Sequence, residues 1–197
     1  MNLQTTLKII SAGKLCAKNW QKRCKNLPLG FDQDAPISFS HLLETNEIWD
    51  ALWALRFVLP EQEKERNTQA RLLACDYAQD VMYIFEAQYP NDKRPQLCIE
   101  AAIRFSNGQA TEQGLLDARN VVLHARDIQR STAWDASWAA ASSAAGAAKK
   151  DAVDAAHTAW GGAGAAMAVA RDGGSYRIIA KQKEQFIVRF CTQEASK

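Results

Sequence analysis

Apolar residues recur along this chain mostly at three- and four-residue spacing. The every-second-residue alternation of a half-buried strand is almost missing, so the pattern predicts an all-α protein. Over residues 42–59, Leu42, Trp49, Leu52, Trp53 and Leu59 fall on one helical face. Pro60 closes that helix, because its ring clashes with the preceding turn. A second helix is predicted over 61–89, burying Ala74, Cys75, Ala78, Val81, Met82 and Phe85. A turn over 90–95 follows, with Pro95 suited to a first helical turn, where its missing N–H costs nothing.

The third helix, 96–105, is predicted to stop at Ser106-Asn107-Gly108, a left-handed cap signal. Thr111 is placed to cap a fourth helix running to about residue 129. Ser175 is placed to cap the last one, with Ile179, Phe186, Ile187 and Phe190 on one side. Residues 1–26 read as an amphipathic helix, and 27–38, broken by Pro and Gly, as the longest loop.

Between 132 and 170 about half the residues are alanine, with Trp134, Trp138 and Trp160 among them. Alanine loses no rotamer freedom in a helix, and its small side chain lets backbones approach closely. Indole rings then fill the gaps that remain. Two helices meeting near 146–151 are expected, with Gly161, Gly162 and Gly164 permitting close contact or a kink. The whole reads as one all-helical domain over 1–197, a bundle of antiparallel hairpins with roughly six to eight helices. Within it, 1–36 is a basic leader and loop, 37–130 carries most of the distinctive motifs, and 131–197 is the Ala/Trp-rich part with the C-terminal helix.

A formal charge of +2 argues against a dedicated nucleic-acid binder, but the charge is unevenly spread. Residues 1–30 carry Lys8, Lys14, Lys18, Lys22, Arg23 and Lys25 and no acid. Residues 31–65 carry Asp32, Asp34, Glu44, Glu47, Asp50, Glu61, Glu63 and Glu65 against Arg56 and Lys64. The simplest arrangement has these two fields packed near each other and largely cancelling. Five cysteines (Cys16, Cys24, Cys75, Cys98, Cys191) form no C-x-x-C pair and stand apart from His41, His124 and His157, which excludes a zinc-finger pattern. Cys75 and Cys98 sit in apolar stretches as small buried hydrophobes. A reducing cytoplasm fits this usage. No apolar run reaches membrane-spanning length.

Groups able to do chemistry are sparse. Arg56 falls inside the Trp49, Leu52 and Trp53 stripe, where a guanidinium must be paired. Asp76 and Asp80, one turn apart, are its candidate partners in a structural ion pair. The same carboxylates with Glu86 would serve a metal only if a second acidic pair faced them, and the Glu-x-x-His element of di-iron bundles is missing. No G-x-S-x-G nucleophile turn and no phosphate loop occurs. No catalytic residue, metal or cofactor is assigned.

Three stretches stand in a distinctive order: Asp50-Ala51-Leu52-Trp53-Ala54-Leu55-Arg56, then residues 71–78 (Arg71-Leu72-Leu73-Ala74-Cys75-Asp76-Tyr77-Ala78) leading to Ile84-Phe85-Glu86, then Tyr89-Pro90-Asn91-Asp92-Lys93-Arg94-Pro95 with Ile99-Glu100-Ala101-Ala102. With the Ala-rich tail and the opening Ala12-Gly13-Lys14-Leu15-Cys16 and Trp20, this order resembles the putative immunity protein family of bacterial polymorphic toxin systems. The resemblance implies an all-helical cytoplasmic protein that binds and neutralises a cognate toxin, encoded nearby, without chemistry of its own. Trp53, Arg56, Asp76, Arg94 and Glu100 then serve mainly as fold determinants.

Against a basic toxin, the acidic residues Glu44, Glu47, Asp50, Glu61, Glu63 and Glu65 are the expected contact surface. A nucleic-acid or anionic-surface adaptor using the basic leader is the alternative, followed by a carboxylate metal enzyme built on Asp76 and Asp80. Neither membrane nor nucleic acid enters the main reading.

Overall fold

The computed structural model of the protein describes residues 2–12, 27, 31–125, 153, 156 and 175–191. Of these, 74% are helical, and the one sheet among them has two short strands, so the protein is all-α. The tryptophans of the Ala-rich stretch, the glycines at 161–164 and the leader residues 13–26 lie outside the described residues. Val153 and Ala156, inside that stretch, are helical and fully buried.

The chain divides into two compact units. The first comprises Met1–Arg66 and Phe186–Lys197, the second Asn67–Gln185. In the first unit, strand β1 (Gln4–Thr5) pairs antiparallel with β2 (Ile37–Ser38), Gln4 opposite Ser38 and Thr5 opposite Ile37. Helix α1 (Leu7–Ala12) follows β1. The predicted helix over 1–26 is therefore corrected at its start. The reason is tertiary: the backbone of residues 3–5 bonds to distant segments instead of to its own next turn. Leu3 N–H donates to the Phe190 carbonyl (3.1 Å), and the Leu3 carbonyl accepts from Phe39 N–H (3.2 Å). The Gln4 carbonyl accepts from Leu59 N–H (3.0 Å), and the Gln62 side chain accepts from Gln4 N–H (2.8 Å). The buried Thr5 hydroxyl donates to the Phe57 carbonyl.

The predicted helix over 42–59 is two helices, α2 (Phe39–Thr45) and α3 (Ile48–Ala54), continued by a 3-10 turn, Leu55–Phe57. Asn46 and Glu47 between them are extended (φ −138° and −72°). Asn46 stops α2 by donating its side-chain amide to the Leu42 carbonyl (2.9 Å), and the Ser38 hydroxyl caps its start by accepting from His41 N–H. On α3, Leu52 is fully buried while Trp49 stands 47% exposed, off the stripe predicted for it. Pro60 opens a second 3-10 turn, Pro60–Gln62, rather than merely ending a helix. Leu3, Ile10, Ile37, Phe39, Leu42, Leu43 and Leu55 form the core with Phe186 and Phe190. Phe186 lies between Phe39 (centroids 6.4 Å apart) and Phe190 (4.9 Å).

The second unit takes up α4 (Glu63–Gln79) from Asn67 onward, then α5 (Met82–Gln88), α6 (Arg94–Ser106), α7 (Glu112–Ala125) and most of α8 (Ser175–Phe190). The predicted helix over 61–89 breaks at Asp80 and Val81, where Val81 N–H reaches back only to Ala78 (3.3 Å). The side chain of Asp80, 8% exposed, is held by Lys181 (2.5 Å) and Gln185 (3.1 Å) on α8. All six side chains predicted as buried on this segment are buried. Ala70, Ala74 and Ala78 recur every four residues and are fully buried, as is Tyr77, whose hydroxyl donates to the Gln182 carbonyl (3.2 Å).

Helices α6 and α7 pack on each other as a hairpin across residues 107–111. Gly108 takes the left-handed conformation that the cap signal required (φ 71°). The Thr111 hydroxyl accepts from Gly114 N–H (3.2 Å), the expected cap of α7. On α8, the buried line is Gln182, Phe186 and Phe190 at four-residue spacing. Ile179 (44%) and Ile187 (38%) are exposed, which corrects the predicted apolar side. Ile187 lies one residue, about 100°, off that line.

Removing a ring from the Phe39, Phe186 and Phe190 cluster empties a closed core. Phe39→Ala should lower stability by about 3–5 kcal/mol. Leu97→Ala, at a 56% exposed position, should change it by less than about 0.5 kcal/mol. Denaturant midpoints of the two variants check this.

Candidate functional site

The six acidic residues of the expected contact surface all belong to the first unit. Glu44 near the end of α2, Glu47 before α3, and Glu61, Glu63 and Glu65 around the start of α4 are exposed. Asp50 is the correction: it is 7% exposed, in the first turn of α3, and its backbone N–H bonds the Glu47 carbonyl (2.9 Å). A carboxylate there suits the partial positive charge of the helix start. It stabilises α3 instead of facing solvent. Of the basic leader, Lys8 is described, 3.0 Å from Asp34 with both side chains exposed. That contact joins the two opposite fields, though a pair so exposed contributes at most about 1 kcal/mol.

Arg56 is half-buried on the Leu55–Phe57 turn, and Asp76 half-buried on α4. Asp80, the second carboxylate considered for Arg56, takes Lys181 and Gln185. Lys181 was invisible as a partner because it lies 101 residues away. Among the described residues, no three His, Cys, Asp or Glu side chains gather at metal-binding distance.

A surface groove lies in the second unit, at the turn between α5 and α6. Gln88, Tyr89, Pro90, Asn91, Asp92, Lys93, Arg94 and Leu97 line an open groove of about 680 Å³. Local sequence builds it. Tyr89 N–H bonds back to Phe85 (2.9 Å), and Asp92 N–H bonds the Tyr89 carbonyl (3.0 Å), closing a turn with Pro90 in its second position. The Tyr89 ring packs on Phe85 (5.2 Å). The Asp92 carboxylate then accepts from the Arg94 backbone N–H (3.1 Å), from Nε (2.8 Å) and from Nη2 (2.5 Å). Pro95, buried in the first turn of α6, stiffens the exit.

This two-pronged pairing holds the Asp92 carboxyl below its ordinary range, chiefly through the side-chain hydrogen bond from Arg94, and pushes the Arg94 guanidinium up. Lys93 sits 3.8 Å from Glu86, both largely exposed. The sequence marks residues 90–95 as a turn but says nothing of the groove. An Asp two positions before a helix start was the available signal.

The three described cysteines give no candidate nucleophile. Burial pushes the Cys98 thiol up to about 12, outweighing the influence of Arg119. Cys75 is buried as well. The Cys191 thiol is also raised, mainly by burial and against a hydrogen bond from Ser40. A thiol so raised stays protonated and unreactive.

A family model described as Imm-5 like putative immunity protein matches residues 60–187, more than half of the 197-residue chain. The chain belongs to that family. The match takes in the Asp92–Arg94 groove and α4 to α7. No curated protein and no solved structure matches the chain. No helix among the described residues is long and apolar enough to cross a membrane.

Because the Asp92 carboxyl titrates lower when folded, its contribution to stability is complete above the unfolded carboxylate range. That contribution is lost as pH falls through the depressed folded value. The stability gap between wild type and Asp92→Asn, followed by urea unfolding, should therefore hold at neutral pH and close under acid conditions. A gap independent of pH would show that the clamp is not ionic. Iodoacetamide at mildly alkaline pH, with peptide mapping, should label Cys98 only after unfolding.

Proposed function

We propose that the protein neutralises a cognate toxin by stoichiometric protein–protein binding, with no reaction of its own and no cofactor. The observation that carries this reading is the family match over residues 60–187. Binding needs anchors and complementary charge, and the described surface offers both. Glu44, Glu47, Glu61, Glu63 and Glu65 form the candidate contact set for a basic toxin; Asp50, being buried, is left out. The toxin is encoded beside this protein, and the two meet in the cytoplasm. Asp80, held by Lys181 and Gln185, fixes the register of α8 and is not a binding site.

Co-expression with the product of the neighbouring open reading frame tests the reading. That product should be toxic alone, tolerated with this protein, and recovered with it in an equimolar complex. Failure of every neighbour to be toxic or to bind would end the proposal. Replacing the five exposed glutamates by lysine should slow association by about tenfold or more at low salt and flatten its salt dependence, with dissociation changing less. Stopped-flow kinetics at two ionic strengths would read this, and unchanged rates would remove the surface from consideration.

A further inference from the structure

Arg94 is held in an unusual way for a residue standing in an open groove. Asp92 occupies one edge of its guanidinium, Nε and Nη2, at 2.8 and 2.5 Å. A guanidinium has two such edges, each fitted to a carboxylate. Among the described residues Asp92 is its hydrogen-bonding and ionic partner, and the Arg94 side chain remains 41% exposed against 16% for Asp92. The second edge, Nη1 with the other hydrogen of Nη2, is left for a carboxylate from outside.

The charge is permanent, since the pairing raises the guanidinium further above its usual value. The geometry is set beforehand by the Tyr89–Asp92 turn and by Pro95, so little side-chain freedom is lost on binding. Lys93 stands beside it, joined to Glu86 only at 3.8 Å. Leu97, on α6 and lining the same groove, is 56% exposed, a large apolar side chain turned to solvent next to a fixed cation.

We propose that the Gln88–Leu97 groove docks a segment of a protein partner in which a carboxylate side chain neighbours an apolar one. The carboxylate takes the open edge of Arg94 with Lys93 close by, and the apolar side chain covers Leu97. This rests on the reading of the protein as a binder and adds a second contact, of opposite charge preference to the exposed glutamates. Charge complementarity and the exposed leucine choose this occupant. The lining carries Lys93 and Arg94 against Asp92, the least exposed of the three, so a basic segment would meet net positive charge, and a wholly polar one would leave Leu97 uncovered.

The probe is the capped tripeptide acetyl-Leu-Asp-Leu-amide, titrated into the full-length protein and followed by nitrogen–proton spectra that include the Arg94 Nε–H. Saturable shifts of that signal and of the Lys93–Leu97 amides are expected. The Asp→Asn peptide should bind about tenfold or more weakly. Leu97→Asp, at an exposed position, should lose binding while the spectrum elsewhere stays native. Arg94→Lys keeps the charge but loses the fork, and should weaken binding by a similar factor. Equal binding of the two peptides, shifts confined to other regions, or unaltered binding by Leu97→Asp would each overturn the proposal.

Toxin neutralisation separates the two readings. If wild type and Leu97→Asp neutralise a neighbouring toxin equally, the groove has no part in that contact and the immunity reading stands. If wild type neutralises no neighbour, the immunity reading falls and the peptide titration alone decides the groove.

Discussion

The first unit depends on pairing the backbone of residues 3–5. A buried N–H or carbonyl without a partner costs about as much as a lost hydrogen bond, so each must be matched. Here the partners of the backbone are Phe190, Phe39, Leu59 and Gln62, and the Thr5 hydroxyl adds a bond to the Phe57 carbonyl, all far away in sequence. None of these bonds can form until the segments holding them are together. The apolar side chains around them, Leu3, Ile37, Phe39, Phe186 and Phe190, are fully or almost fully buried by the same assembly. Backbone pairing and core formation are therefore one event in this unit.

Short helices follow the same logic. α2, α3 and α5 are seven residues each, well below the length at which an isolated helix holds in water. Burial sustains them: Leu42 and Leu43 on α2, Leu52 on α3, Phe85 on α5. In the second unit the long α4 buries Ala70, Ala74 and Ala78 together with the large Tyr77. A polar seam then fixes α8, through Tyr77 to the Gln182 carbonyl and through Asp80 to Lys181 and Gln185. Apolar contact alone would leave the register of α8 loosely specified, whereas directed hydrogen bonds admit fewer alternatives.

On the proposed reading as a binder, function shows less in the sequence than it would for an enzyme. Catalytic sets need rare residue types at fixed spacing, while a contact surface uses common ones. Glu44, Glu47, Glu61, Glu63 and Glu65 could be picked out by charge, yet Asp50 in the same run is buried, since a carboxylate at a helix start has a structural use. The Asp92–Arg94 clamp lies within a six-residue motif whose turn was legible. That Arg94 keeps an edge for another carboxylate, beside an exposed Leu97, depends on how the turn folds back and on what α6 leaves uncovered.

By itself the sequence determined the all-α class, the buried side of α4 and α5, Pro95 at the start of α6, the left-handed Gly108 and the Thr111 cap. These are local matters, set by residues three or four apart or by one residue's own φ preference. It also carried the family, because motif order survives without coordinates. Only the tertiary structure decided the β1–β2 pairing, the break at Asp80–Val81, the exposure of Trp49, Ile179 and Ile187, and the choice of Lys181 for Asp80. Each of these turns on a partner dozens of residues away or on which face a neighbouring element covers, and helical periodicity carries no record of either.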